Sequence, residues 1–169
     1  YLKNKNMEYV LLLNNDTIVD YNILNYFIEA AESQGKNNIF GGKIFYQHNL
    51  KPIWYAGGKV NLKLGWISHR GIRKMDSEKY SSPMGTDYVT GCCLFTSMKV
   101  INQLNGFDEL FNMYGEDVDI CLRAKEQGIS CYYWPEAKLW HYISASMGGN
   151  YSVKKWKRKH LGKMRLVIK

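Results

Sequence analysis

The sequence predicts an α/β domain in which helices flank a mixed central sheet. Three observations lead there. Residues 9–13, YVLLL, form a continuous apolar run of the kind a strand shows when both its faces are covered. The run ends abruptly in Asn14, Asn15, Asp16 and Thr17, and a helical pattern follows. Two further apolar runs, 86–96 and 129–134, bracket a second helical pattern over 116–127. A chain of 169 residues that is 46% apolar and 22% charged is long enough to bury one core. No stretch offers the ~20 consecutive apolar residues of a membrane helix.

Taken in order, YVLLL is expected to be a central strand. Asp20 then reads as the N-cap of a helix whose apolar face carries Ile23, Leu24, Phe27, Ile28 and Ala31, with Gly35 as its stop. Residues 38–82 change texture. Short apolar stretches punctuated by Gly41, Gly42, Gly57, Gly58, Gly65 and Gly71 predict strands and long loops with no helix. Residues 86–96 read as a second buried strand. Ser97 caps a short helix ending near Asn105 and Gly106, and Val118, Cys121, Leu122 and Ala124 face inward on the 116–127 helix, which Gly128 stops. The strand 129–134 is expected to close at Pro135.

The net charge of +8 is a local property. Eight of the 23 Lys and Arg fall in residues 151–169, which contain no Asp or Glu, so residues 1–150 carry 15 charges of each sign. The division expected is therefore a neutral body, 1–150, and a basic amphipathic segment, 151–169. A neutral body with no basic stripe of interleaved aromatics argues against nucleic acid as a partner. Cys92, Cys93, Cys121 and Cys131 lack CxxC spacing, and four reduced thiols are expected. The chain starts at Tyr1 and reads as a piece cut from something longer.

Chemistry concentrates at three places. Asp16, at the mouth of the first strand, can hold a hard cation through oxygen; equally, Asn14, Asn15 and Asp16 can make an Asx-type turn. Glu116, Asp117 and Asp119 crowd a helix start, where the helix dipole favours acids whatever their role. Gly115 and the aromatic Phe107, Phe111 and Tyr114 around them suit a carboxylate presented to a pocket as a general base. His141 follows Trp140, either as a ligand or as a core histidine. Cys92 and Cys93, inside an apolar run, read as inert core thiols.

Together, YVLLLNNDT (9–17), IWYAGGKVN (53–61), DYVTGCCLF (87–95), NGFDELFNMYGEDVDICLRAKEQG (105–128) and WHYISAS (140–146) resemble the inverting glycosyltransferases of family 2, with the GT-A fold, and within them a rhamnosyltransferase-like branch. The resemblance spans most of the chain in family order. It implies Asp16 and His141 as ligands of Mn2+ or Mg2+, and Asn14, Asn15, Gly91 and Cys92 as the lining for a nucleoside-diphosphate sugar. Asn14 stands where the family's motif has a first carboxylate. Asp117 is implied as the base, with Glu116 and Asp119 supporting it or contacting the acceptor, and Arg123 as a structural ion-pair partner. Trp54, Tyr55, Gly57, Gly58 and Trp66 are implied on the acceptor side, the aromatic rings either stacking on sugars or packing under loops.

The implied reaction transfers a sugar, rhamnose among the candidates, to a glycan or lipid-linked acceptor for bacterial surface polysaccharide, in the cytoplasm at the inner face of the plasma membrane. The basic segment suits contact with an anionic membrane. The family's leading nucleotide-binding half is expected to lie upstream, so the chain alone is expected to be inactive. The other reading is a glycan-binding remnant without catalysis. A glycoside hydrolase needs two carboxylates flanking a bond, which adjacent Glu116 and Asp117 do not supply.

Overall fold

The computed structural model describes residues 7–47, 51–111, 113–142 and 153–169. The last residues of the WHYISAS string and the first of the basic segment lie outside that description. The element order is β1 (Tyr9–Leu13), β2 (Thr17–Val19), α1 (Ile23–Gln34), β3 (Ile39–Tyr46), β4 (Ile53–Tyr55), β5 (Gly58–Asn61), β6 (Trp66–His69), β7 (Met84–Gly85), β8 (Cys93–Ser97), α2 (Met98–Gln103), α3 (Glu116–Glu126), β9 (Cys131–His141) and α4 (Val153–Ile168). Short 3-10 turns occupy Leu62–Leu64 and Glu78–Tyr80.

Among the described residues, seven strands form one mixed sheet in the order β1-β8-β3-β9-β2, with β4 alongside β3 and β7 alongside β9. β3 and β9 run parallel; β1 with β8, β8 with β3, and β2 with β9 are antiparallel. The hairpin β5–β6 stands apart as a second sheet. As expected for a central strand, β3 is buried from Ile39 to Phe45. Phe27 of α1 stacks on Phe95 of β8 at 5.1 Å, and Tyr9 covers Phe95 from β1 at 5.0 Å. All four cysteines are free, as the spacing predicted, and all four are buried.

Several local expectations are corrected. Among the described residues β1 pairs with β8 alone, at one end of the sheet, and it is half-buried, with Leu13 exposed. An apolar run reports covered faces but not a covered edge. Asp20 lies ahead of the helix, where its carboxylate accepts from the Asn22 amide at 2.9 Å in an Asx turn, and Asn22 takes the cap position. Leu24 points outward, the buried face of α1 being Ile23, Phe27, Ala30 and Ala31. Residues 86–92 are a buried loop in place of a strand, because the chain turns at Gly91 and Cys92 before β8 begins.

Pro135 does not close β9. The strand runs on to His141, and its pairing with β3 jumps from Gly42 opposite Trp134 to Lys43 opposite Lys138. Residues 135–137 form the bulge, the place within a sheet where proline's missing N–H is tolerated. Gly42 makes room for it, since a Cβ there would overlap the Ala137 carbonyl.

Candidate functional site

The site gathers at the ends of β1 and β9. Thr17 Oγ1 donates to the Asn14 carbonyl at 2.7 Å and the Asn14 amide donates to the Cys92 carbonyl at 3.1 Å. The turn is thus closed by threonine and backbone, and the Asp16 carboxylate is not consumed in an Asx turn. Antiparallel pairing sets Thr17 opposite His141, and the Tyr142 amide donates to the Asp16 carbonyl at 2.9 Å. Asp16 Oδ1 consequently lies 3.0 Å from His141 Nε2, both side chains largely shielded from solvent. Trp54 packs its edge against His141, centroids 4.8 Å apart, and against His69 at 4.5 Å.

The second half of the site is the start of α3. Tyr114 and Gly115 take successive positive φ values of 73° and 106°, a reversal that swings the chain into the helix at Glu116. Asp117 Oδ2 accepts from the Gly91 amide at 3.0 Å and Oδ1 from the Val118 amide at 2.9 Å. Burial raises the Asp117 pKa above the ordinary carboxylate value, and these backbone bonds partly oppose it. Glu116 is raised as well, by burial first and then by the neighbouring Asp117 charge, and its Oε2 is buried with no hydrogen-bond partner among the described residues.

Gly91 and Cys92 join the two halves. Burial pushes the Cys92 thiol up, and the neighbouring Cys93, Asp16 and Asp117 add to it. Tyr88 is raised by burial and by Asp117. Cys93 is pushed up to about 12 by burial, which makes it inert.

Asp16 and His141 fit a divalent ion of the Mg2+ or Mn2+ type, which takes one or two protein ligands and completes its shell from phosphates and water. They would offer one oxygen and one nitrogen, and among the described residues no cluster of three or more His, Cys, Asp or Glu occurs.

The model of the glycosyl transferase family group 2 matches residues 9–168. The chain belongs to that family. Among curated relatives of this group 2 chain, it is 35% identical over 156 residues to the N-acetylglucosaminyl-diphospho-decaprenol L-rhamnosyltransferase of Mycobacterium tuberculosis, covering 83% of this chain and 49% of that protein. It is 29% identical over 140 residues to the rhamnosyltransferase WbbL of Escherichia coli K12, covering 80% of this chain and 52% of that protein. The chain therefore spans about half the length of these relatives. The crystal structure of GalNAc-T7 with UDP, GalNAc and Mn2+ superposes with a TM-score of 0.67 over 90% of this chain and 30% of that one, at 13% identity, a likeness of fold. The expected GT-A architecture is the one found.

Against that architecture the other expected residues sort clearly. Asn14 and Asn15 are exposed at the mouth of the site, beside Asp16. Asp119 is buried and paired with Arg123 Nε at 2.8 Å and Lys169 Nζ at 2.8 Å, so it faces cations, not an acceptor, and Arg123 has the structural role expected of it. Tyr55 is fully buried with its hydroxyl donated to the Tyr88 carbonyl at 2.7 Å, which leaves no ring face for a sugar. Gly57 and Gly58 are buried too. A Cβ on Gly58 would overlap the Tyr88 ring, so these glycines admit the protein's own side chains. Trp66 is exposed on β6. His69 carried no motif and escaped the sequence reading. Its Nδ1 lies 3.1 Å from the Trp54 carbonyl, and burial lowers its pKa to about 4, so a neutral imidazole braces the Trp54 ring.

Proposed function

We propose that this chain is the metal- and acceptor-side portion of an inverting glycosyltransferase that moves a sugar, rhamnose among the candidates, from a nucleoside-diphosphate donor to a glycan or lipid-linked acceptor in bacterial surface polysaccharide synthesis. The observation that carries the reading is the 3.0 Å approach of Asp16 and His141 from opposite ends of the chain, with the anchored Asp117 carboxylate across the Gly91–Cys92 turn. Family membership supports it, as does the likeness to relatives named as rhamnosyltransferases, one acting on a decaprenol-linked sugar. A lipid-linked acceptor places the reaction at the inner face of the plasma membrane.

Within this reading, Asp16 and His141 hold Mn2+ or Mg2+, which supplies positive charge for the leaving diphosphate. Asn14 and Asn15 offer amides at the donor's edge, and Gly91 with Cys92 forms the floor between donor and base. Asp117 takes the proton from the acceptor hydroxyl on the face opposite the leaving group. Burial raises its pKa above the ordinary carboxylate value, which makes it the stronger base. The Gly91 and Val118 amides fix the direction of its carboxylate while leaving further lone pairs for the acceptor. Glu116, with an oxygen unpartnered among the described residues, is the supporting carboxylate, and Trp54 and Trp66 are the aromatic faces for acceptor sugars.

The deciding experiment measures release of nucleoside diphosphate by the full-length protein from a donor panel including dTDP-rhamnose and UDP-sugars, with and without Mn2+. Turnover of one donor is expected, and Asp117→Asn is expected to lower it by roughly a hundred-fold or more while donor binding is retained. Loss of donor binding in that variant would make Asp117 a structural group. Glycan binding without turnover of any donor would replace transfer by a binding role.

A further inference from the structure

Surface helices ordinarily turn apolar residues inward and cations outward. The described part of α4 does the reverse. Gly162, Leu166 and Lys169, spaced four and three residues apart, face the body: Leu166 is buried, and a Cβ on Gly162 would overlap the Tyr114 carbonyl. Lys169 Nζ reaches Asp108 at 2.7 Å and Asp119 at 2.8 Å, Arg165 donates to the Leu110 carbonyl, and Lys159 lies over the Tyr114 ring at 5.5 Å. The opposite face carries Val153, Trp156, Met164 and Val167, bordered by Leu161 and Ile168, all more than half exposed. Exposed Lys157 and Lys163 are interspersed with them.

We propose that α4 docks the protein on an anionic lipid bilayer through this outward apolar face, while its inward face holds the loop before Glu116 and Asp117 at a fixed height above the lipid. The choice of a bilayer rests in part on the lipid-linked acceptor proposed above. Charge decides it further. The outward face carries Lys157 and Lys163, and the segment 151–169 contains no acid, so a second copy meeting it face to face would find like charge and no complement, whereas anionic headgroups complement it. A helix of 16 residues is too short and too charged to span the membrane, and no described helix can; lying in the interface, it buries its apolar side chains and keeps its lysines among headgroups. The placement has a use. The same helix grips Leu110, Tyr114 and Asp119, so the acceptor's lipid anchor and the base share one reference plane.

The test is co-sedimentation of the full-length protein with vesicles of phosphatidylcholine alone and with roughly 30% phosphatidylglycerol added. Binding is expected only to the anionic vesicles and is expected to weaken with salt. Leu161→Ser with Met164→Ser is expected to reduce it roughly ten-fold or more, leaving transfer to a water-soluble acceptor unchanged. Lys157→Glu with Lys163→Glu, which removes no apolar contact, is expected to reduce it as well. Equal binding to neutral vesicles, no binding at low salt, or full binding by both variants would overturn the proposal. So would a dimer in sedimentation equilibrium that the Leu161 and Met164 substitutions disperse. Vesicle binding is read without donor or acceptor, so a protein that binds vesicles but transfers no sugar refutes the transferase reading alone.

Discussion

At the scale of single residues, the site is a set of short polar contacts between groups far apart in sequence. Asp16→Ala or His141→Ala is expected to raise the Mn2+ needed for half-maximal transfer by about ten-fold or more, read from metal titrations of diphosphate release. Unchanged metal dependence would remove both from the ion's shell. His69 makes a different prediction. Its pKa falls from 6.5 to about 4 on folding, so the unfolded chain binds the extra proton between those values. Its contribution is intact above pH 6.5 and is lost as pH falls toward 4, about 3 kcal/mol in all. Urea unfolding of His69→Gln should show a flatter acid slope over that window; the same slope would mean that another group titrates there. Asp16, Asp117 and His141 were legible because each ends or begins an element whose pattern is strong. Asp119 and Tyr55 were misplaced because side-chain direction around a helix or strand depends on what packs there. Lys169, 50 residues from Asp119, leaves no mark on the sequence around it.

At the scale of elements, the periodicity of α1, α3 and α4 was readable, and what each faces was not. The face of α4 that meets the body is set by Gly162, whose missing side chain allows the helix to lie against the Tyr114 carbonyl. This gives a test that opposes two known tendencies. In a free helix interior, Gly→Ala gains about 1 kcal/mol. Here Gly162→Ala is expected to lower stability by roughly 1–2 kcal/mol, with faster proteolysis of α4 and weaker transfer, because the methyl group forces helix and loop apart. A rise in melting temperature would show that α4 does not bear on the loop. The loop at 86–92 was misread as strand for a related reason: its apolar residues are buried, but Asp117 claims the Gly91 amide that a sheet would have used.

At the scale of the whole molecule, fold class and motif order were recoverable from the sequence, while strand order was not. A run such as YVLLL is equally apolar at the centre and at an edge when helices cover both faces. Among the described residues β1 is paired on one side only, and this has a measurable consequence. An unpaired apolar edge templates association, so the 169-residue chain alone is expected to form concentration-dependent oligomers in analytical ultracentrifugation. Leu13→Lys, at an exposed position, is expected to suppress them. Oligomers that persist in that variant would have another interface.

The bulge at Pro135 sets a length. Had β9 kept its initial register with β3, the residue level with Tyr46 would be Lys138, and His141 would overshoot by three residues, roughly 10 Å of strand. The detour at 135–137 takes up that slack and draws the imidazole back beside Asp16. Gly42, though it touches neither partner, therefore works as the notch of a ruler: removing it or trimming the bulge would leave both ligands chemically intact and bring them to rest at different heights on the sheet.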